Sequence, residues 1–490
     1  MKKSFFKDSS LAIIAHVLVY LKGIFLMPLI IKTVGVSVYG SYVLITAMVG
    51  IIYGISSLGV GIKSTRYLPS TETSEKKRKL FFPPFYFHLF SLVFISCILI
   101  IFQDTIKGYL VDDKSLFSIY IIPIYFLLYI LYTYSYSYLR YTSRIFYMSL
   151  IGVGYAYLHI AFILVYFQYM GDIDINILFL SQGLVAFLVA VPVIILIYKE
   201  LRFHYIFFKI SEIKGNIKIG FPMVLNLIVD FVLASSDRFV LAYFMGVVSV
   251  GLYSPAYMLG SLILLIPKAI GTVVPQLMSK SIDRGEFLEA KQFFYNSVKV
   301  YIVIAIPFIF GIYLVSTEAL LILANDEVAE KGQLIASIIA VGSFFYGLNI
   351  LMSQANIVDL KTGSIFKANA FASIFNLIAN IVILYFIQNI YVPAITTLLS
   401  FFLGSIYFYR SLDEKWLDSK IFNVMFKTMF NAGLMYILVL SLIMVFDNLS
   451  MLESIFIKVF SSLVIYFILV LVSGMYTMTQ VKGFNKVFSK

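Results

Sequence analysis

The sequence has little charge, one cysteine and few histidines, and each scarcity excludes a class of protein. Only 13% of the 490 residues are charged, whereas soluble domains carry about a quarter, so an ordinary soluble globule is excluded. The single cysteine, Cys97, lies within an apolar segment, which excludes a disulfide framework and a CxxC or zinc spacing. The four histidines are far apart and form no HExxH motif, so no metal site is expected: His16, His88, His159 and His204.

What the chain has in abundance is apolar sequence. Hydrophobic residues make up 61% of it, and the mean hydropathy is +0.96. A helix needs about 20 apolar residues to cross the hydrocarbon core of a bilayer. On that criterion we predict an all-α polytopic membrane protein with about fourteen transmembrane helices. The predicted spans are 10–30, 41–62, 83–103, 116–139, 145–168, 177–198, 219–245, 251–279, 297–315, 333–357, 366–387, 393–409, 421–446 and 455–477.

The basic residues follow these spans in a regular way. If the N-terminus is cytoplasmic, 28 lysines and arginines fall on the cytoplasmic side and four on the other: Lys32, Lys107, Lys114 and Lys331. The positive-inside rule therefore predicts that both termini are cytoplasmic. The net charge of +12 is explained by this topology, so no nucleic acid partner is expected. No signal-peptide cleavage site follows the first span, and we expect that span to be retained.

A short motif recurs 211 residues apart. Gly35 to Tyr42 and Gly246 to Tyr253 both read GVxxxGxY, each after a span and at the same predicted outside turn. Six spans separate the copies, which indicates a parallel repeat about an axis along the membrane normal. We therefore predict two six-helix lobes related by a pseudo-two-fold axis: spans 1–6 in residues 1–205 and spans 7–12 in residues 206–412. Residues 413–490 would hold spans 13 and 14 and a basic cytoplasmic tail.

Ionisable residues occur at membrane depth in the first, seventh and eighth spans. Such groups are costly in hydrocarbon, so they are expected to face a partner or a watered cavity. We interpret Lys22, Arg238 and Lys268 as cations that line a cavity between the lobes. Asp230 and Asp237 are the candidates for coupling or charge balance.

Neutral polar and aromatic residues form stripes at helical spacing in several spans. They either bond neighbouring helices or line a wet surface, and the pattern leaves both readings open. Ring faces and hydroxyls suit a sugar, although aromatic stripes are most often packing. The sugar-facing candidates are Tyr129, Tyr132, Tyr155, Asn226, Asn356 and Asn376.

Prolines interrupt spans seven and eight repeatedly, which favours a hinge there because proline removes a helical hydrogen bond. They are Pro222, Pro255, Pro267 and Pro275.

The residues around the second glycine motif resemble a known family. The run from Ser236 to Phe239, followed by Leu241, Tyr243, Gly246, the run Val250 to Ser254 and Tyr257, resembles a region of bacterial polysaccharide-repeat-unit flippases of the Wzx type. The run from Val34 to Tyr42 is similar to their first-loop pattern. These flippases belong to the multidrug, oligosaccharidyl-lipid and polysaccharide exporter superfamily, so the resemblance implies a MATE-like fold. Many of them have twelve spans, and the extra pair leaves the substrate subgroup open.

The resemblance implies a flippase of the bacterial inner membrane and not an enzyme. Its substrate would be an undecaprenyl-pyrophosphate-linked oligosaccharide, turned to the outer face by alternating access for lipopolysaccharide O-antigen, capsule or a related glycan. The diphosphate would contact Lys22, Arg238 and Lys268 while the prenyl tail stays in bilayer lipid. No cofactor is expected beyond a coupling proton or sodium ion. A polymerase and a chain-length regulator are candidate partners, and we expect a monomer.

Two alternatives are open. A multidrug or cation antiporter of the same fold should have an acidic or apolar cavity, whereas three deep cations favour an anion. A membrane glycan polymerase usually needs a large outside loop, and no predicted outside loop exceeds 17 residues. No nucleotide-binding loop is present in the sequence, so ATP would not drive transport within this chain.

Overall fold

The structure is a computed structural model that describes residues 2–112, 117–171, 173–202, 210–416, 418–445 and 450–475. Within these ranges the regular secondary structure is helical and no β-strand occurs, which confirms the all-α prediction. The basic tail after residue 475 and His204 lie outside the described residues.

Seventeen α-helices follow one another in the described part of the chain. In chain order they are α1 (Lys2–Val34), α2 (Val36–Ser56), α3 (Ile62–Tyr67), α4 (Ser74–Ile101), α5 (Gln103–Leu110), α6 (Ile121–Tyr141), α7 (Ile145–Met170), α8 (Ile175–Leu201), α9 (Ile210–Met245), α10 (Val247–Gly260), α11 (Leu265–Asp283), α12 (Phe287–Leu323), α13 (Asp326–Val358), α14 (Thr362–Phe386), α15 (Val392–Ser411), α16 (Lys420–Ile443) and α17 (Met451–Val472). Short 3₁₀ helices lie at Leu68–Ser70, Ser261–Leu264 and Glu414–Trp416.

Each predicted span coincides with one long helix, except the eighth, which coincides with α10 and α11 together. Across the described ranges, thirteen helical segments are long and apolar enough to cross a membrane. Helix α6, at the position of the fourth predicted span, is 21 residues long but contains seven tyrosines, which lower its hydropathy. With α6 the total reaches the predicted fourteen, and α3 and α5 are short helices between spans.

The connection between the ninth and tenth spans differs from the prediction. A loop of 17 residues was expected, but α12 continues to Leu323 and α13 begins at Asp326. The Asn325 side chain caps α13 by accepting the Val328 N–H at 3.0 Å, as N-cap residues do. The helices are longer than the predicted spans because apolar composition marks where the hydrocarbon begins, whereas a helical backbone continues past it through polar turns.

The eighth span is not one continuous α-helix. Helix α10 passes into the 3₁₀ turn Ser261–Leu264, and α11 resumes just before Pro267. A 3₁₀ stretch within a helix often marks a hinge or local strain. Pro222, in contrast, lies inside the uninterrupted helix α9. The break therefore falls at one of the four prolines in this region, and the hinge stays a prediction.

Both copies of the glycine motif adopt the same local structure. Gly35 and Gly246 have φ angles of +101° and +80° and each separates two helices, a conformation that glycine adopts without a Cβ penalty. A Cβ at Gly40 would lie 2.3 Å from the carbonyl oxygen of Val247, and one at Gly251 would lie 2.1 Å from that of Val36. The first turns of α2 and α10 therefore pack backbone to backbone through the two motifs.

The chain divides into two compact units, Met1–Gly251 and Leu252–Lys490. In the first unit, a core of buried side chains from α4, α6, α7 and α8 includes Phe82 and Tyr138. In the second unit, Trp416 and the buried faces of α12, α13 and α15 form a comparable core. The predicted boundaries at residues 205 and 412 stay predictions.

Candidate functional site

Lys22 lies in the first unit against an aromatic face. Its Nζ atom is 4.7 Å from the centroid of the Tyr155 ring on α7, within the range of a cation–π contact. The side chain is half-buried. Among the described residues no carboxylate lies within ion-pair distance of this lysine. Lys22 is therefore a deep cation whose charge the described part of the chain does not neutralise.

A cluster of tyrosines surrounds this contact. The Tyr155 ring lies 4.6 Å from that of Tyr132 and 6.1 Å from that of Tyr129. Tyr129 also stacks on Tyr125 at 5.1 Å and meets Tyr53 edge-on at 5.2 Å. The structure thus brings together Lys22 and the three tyrosines predicted from the sequence. We call these six residues the Lys22–tyrosine cluster.

Hydrogen bonds fix the polar ends of the cluster. Gln182 of α8 donates to the Tyr155 hydroxyl at 2.7 Å, and the hydroxyls of Tyr53 and Thr133 bond to each other. One turn after Tyr155 on α7, the His159 Nε2 atom bonds to Ser181 Oγ at 3.1 Å and lies 3.2 Å from the Leu178 carbonyl. His159 is thus a buried group engaged by α8.

Two cavities border the cluster on helix α6. One, of about 340 Å³, is lined by Tyr129, Tyr132 and His16. The other, of about 300 Å³, is lined by Tyr53 and His88. Thr133 and Ser137 line both cavities. Hydroxyl groups and ring faces therefore line two adjacent cavities that share Thr133 and Ser137 of α6, which suits a ligand with apolar faces and many hydroxyls.

Arg238 occupies a different environment in the same unit. Its Nη1 atom donates to the Ala234 carbonyl at 2.8 Å and lies 3.7 Å from Asp237 Oδ1. The side chains of Arg238 and Asp237 are 12% and 3% exposed. Asp237 thus balances part of the Arg238 charge beside it.

The other predicted polar residues of spans seven and eight are exposed. Asp230, Asn226 and Lys268 all lie at the surface of the chain. The Asn226 side chain donates to the Pro222 carbonyl of its own helix at 3.0 Å. The predicted common diphosphate site of Lys22, Arg238 and Lys268 stays a prediction.

The asparagines of the second unit bond neighbouring helices. Asn356 donates to Ser411 Oγ at 3.2 Å, and Asn376 donates to Thr397 Oγ1 at 3.3 Å. Both side chains are buried, at 1% and 0% exposure. These contacts are the interhelical bonding that the sequence left open, and a sugar-facing role for either residue stays a prediction.

Sequence reasoning missed three residues of the site, namely Tyr53, Thr133 and Gln182. Tyr53 belongs to a stripe of small residues on α2, with Gly50 and Gly54 at helical spacing. That stripe was a usable signal. Thr133 and Gln182 had no comparable signal, because a single polar residue in a span does not reveal which helix it faces.

Two family models match the sequence. The model described as polysaccharide biosynthesis protein matches residues 5–281, and the model described as MatE matches residues 222–386. No curated protein matches the sequence significantly.

Solved structures with the same fold are flippases and transporters. A structure described as the lipid II flippase MurJ in an inward closed conformation has a TM-score of 0.73 at 17% identity, with 94% of this chain and 97% of that chain covered. An inward-facing multidrug resistance MATE family transporter of the MOP superfamily has a TM-score of 0.60 at 14% identity, with 82% and 92% covered. The MATE multidrug transporter DinF-BH has a TM-score of 0.53 at 17% identity, with 84% and 96% covered. These similarities confirm the MATE-like fold.

Proposed function

The chain belongs to the polysaccharide biosynthesis protein family, and from that premise we propose that it is a flippase for an undecaprenyl-pyrophosphate-linked oligosaccharide. It would move this lipid from the cytoplasmic to the outer face of the bacterial inner membrane by alternating access. The observation that carries the proposal is Lys22, a deep cation beside tyrosines and without a carboxylate partner in the described part of the chain.

The chemistry of the Lys22–tyrosine cluster matches the two parts of such a head group. A lysine at membrane depth is costly unless an anion or water stabilises it, and a diphosphate supplies the anion. Tyrosine rings pack against the C–H faces of sugars, while hydroxyls such as those of Thr133 and Ser137 exchange hydrogen bonds with sugar hydroxyls.

The remaining charged residues would divide the other tasks. Arg238 and Lys268 would add contacts to the diphosphate when the substrate is bound. Asp237, buried at the side of Arg238, fits charge balance. Asp230 is exposed and is our candidate for a coupling proton or sodium ion.

Replacing Lys22 tests the proposal. We expect Lys22→Gln to lower the rate of transport by about tenfold or more, because a hydrogen bond to a charged group contributes about 1.5–3 kcal/mol. The assay follows a fluorescent undecaprenyl-pyrophosphate-linked oligosaccharide in proteoliposomes, with outer-leaflet label removed by a membrane-impermeant quencher. Lys32→Gln, on the same helix but exposed, is the matched control and should keep the native rate. Equal rates for the two variants would contradict the proposed site.

The two alternative functions give different results in cells. Deletion of a flippase leaves repeat units on the cytoplasmic face, whereas deletion of a polymerase leaves single units on the outer face. Deletion of a drug antiporter would leave neither kind of accumulated repeat unit. It would instead raise the sensitivity of the cells to cationic dyes. Extraction of lipid-linked sugars from spheroplasts, with and without a membrane-impermeant probe, distinguishes these outcomes.

We place this activity in the synthesis of lipopolysaccharide O-antigen, capsule or a related glycan. A polymerase and a chain-length regulator of the same pathway are the proposed partners, and the flippase is proposed to act as a monomer. Both termini would lie in the cytoplasm, as the distribution of basic residues predicts.

A further inference from the structure

We infer that an apolar groove in the second unit binds an acyl chain of an anionic phospholipid whose head group contacts Arg410. The groove lies between α12, α13, α15 and α16 and has a volume of about 540 Å³. Its apolar wall includes Val298, Leu348, Phe402, Ile406 and Phe422. None of the residues proposed to bind the transported sugar lines it, so it is a site separate from the Lys22–tyrosine cluster.

The length of the groove matches one leaflet of a bilayer. On α15 the lining residues run from Phe402 to Arg410, and on α12 from Phe294 to Ile302. The rise along a helix over eight residues is about 12 Å. This length is close to half the thickness of the hydrocarbon core, which is about 15 Å. An acyl chain of a single leaflet fits this length.

The groove is open at the surface of the chain. Phe402, Ile406 and Phe422 line it and are 40%, 37% and 57% exposed. Apolar side chains exposed on membrane-spanning helices contact lipid tails. An acyl chain can therefore enter sideways from the bilayer without displacing a helix.

The polar end of the groove carries a cation that lacks a carboxylate partner within the described ranges. Two other cations of this region are already paired: Lys361 with Asp413, and Lys415 with Asp359 and Asp413. The hydrogen bond from Lys361 lowers the pKa of Asp413, which keeps that carboxylate ionised. Arg410 lines the groove, and no carboxylate oxygen of the described residues lies within 4.0 Å of its guanidinium nitrogens.

One acidic residue also lies at this end. Asp418 lines the groove, and its Oδ1 atom accepts the Lys420 backbone N–H at 2.9 Å. Ser419 and Tyr295 add hydroxyl groups to the same end. A guanidinium with neighbouring hydroxyl donors suits a phosphate group. The positive-inside rule predicts that this end of α15 is cytoplasmic, where anionic lipids attract basic residues.

Trp416 makes the groove directly observable. It lines the groove and is the only tryptophan in the chain. Its ring is 1% exposed, packs 5.1 Å from the ring of Phe287, and donates from Nε1 to Asp359 at 2.7 Å. Intrinsic tryptophan fluorescence therefore reports the occupancy of this groove without any added label.

Quenching by brominated lipids tests the inference on the full-length wild-type protein. The protein is placed in nanodiscs of phosphatidylcholine that contain a fixed fraction of chain-brominated phosphatidylglycerol or chain-brominated phosphatidylcholine. We expect both lipids to quench Trp416, with an apparent affinity about fivefold higher for phosphatidylglycerol, as one basic residue near an anionic surface implies.

Two pairs of variants separate the groove from the surrounding lipid. Arg410→Gln should remove the preference for phosphatidylglycerol, whereas Lys420→Gln, at the same end but outside the lining, should keep it. Ile406→Phe fills the groove and should reduce quenching by both lipids. Ile395→Phe, an exposed residue on the same helix outside the groove, should leave quenching unchanged.

Three results would overturn the inference. Absence of quenching in the wild-type protein would show that no chain reaches Trp416. Equal quenching by the two brominated lipids would show that Arg410 selects no head group. Relief of quenching by undecaprenyl phosphate at a lower mole fraction than by unbrominated phosphatidylglycerol would identify a prenyl lipid as the occupant.

Discussion

At the scale of single residues, polar groups within the membrane-spanning helices serve two different purposes. In the second unit, Asn380 accepts from Thr396 at 2.7 Å and donates to Asn376 at 3.1 Å, and these side chains are fully buried between α14 and α15. In the first unit, Lys22 lies against the ring of Tyr155, and the neighbouring Tyr129 and Tyr132 line an open cavity. Buried amides that bond across helices indicate helix packing, whereas a ligand site at Lys22 stays a proposal.

Asn380→Leu tests the packing role of the buried amides. We expect the free energy of unfolding to fall by about 1–2 kcal/mol, because Thr396 and Asn376 lose a buried partner. Thermal unfolding of the purified protein in detergent measures the change. Asn226→Leu is the matched control, since Asn226 is exposed and donates to a carbonyl of its own helix. A loss of stability as large in the control would argue against an interhelical role.

At the scale of helices, close packing in the first unit depends on glycine. The Gly40 and Gly251 positions let α2 and α10 meet backbone to backbone. A second close approach involves α9, where a Cβ at Gly220 would lie 2.2 Å from the carbonyl oxygen of Gly59. Small residues permit such approaches between membrane helices.

Gly251→Val is expected to separate α2 from α10. The new side chain would collide with the carbonyl of Val36, and overpacking of this kind costs about 1–3 kcal/mol. We expect a lower unfolding temperature and slower transport in the proteoliposome assay. Gly50→Val on α2 should leave both measurements close to native, because among the described residues no atom beyond the neighbouring turns of α2 lies within 4 Å of a Cβ at Gly50.

An ion pair attaches the last described helix to the second unit. Lys458 of α17 pairs with Glu318 of α12, and their side chains are 13% and 20% exposed. We expect Lys458→Met to destabilise the protein by about 1–3 kcal/mol, because it leaves a mostly buried carboxylate without its cation. The double variant with Glu318→Leu should recover most of this loss. Thermal unfolding of the two variants measures both effects, and a double variant less stable than Lys458→Met would contradict this account.

At the scale of the whole molecule, the distribution of basic residues predicts the topology. Cys97 is the only cysteine in the chain, so Cys97→Ser gives a cysteine-free background. In that background we expect Lys331→Cys to react with a membrane-impermeant maleimide in intact cells. Lys76→Cys should react only after the inner membrane is permeabilised. The reverse pattern would show that the chain is inserted in the opposite orientation.

The sequence by itself determined the helical class, the number of spans and the two glycine turns. These features depend on local properties: apolar length against the thickness of a bilayer, and backbone freedom at Gly35 and Gly246. The structure confirms the helical class and the two glycine turns. In the described residues thirteen helical segments meet the length and hydropathy of a membrane span, and α6, with its seven tyrosines, falls short of that hydropathy.

Only the tertiary structure decided which polar residues meet. Helical periodicity places Tyr129, Tyr155 and Asn376 on helix faces, but it does not say which helix each face contacts. The fold joined the first two to Lys22 in a cluster that includes Tyr53, and it bonded Asn376 to α15. The physical reason is that a bilayer acts on each span separately, whereas partners are chosen by packing between spans that are distant in the chain.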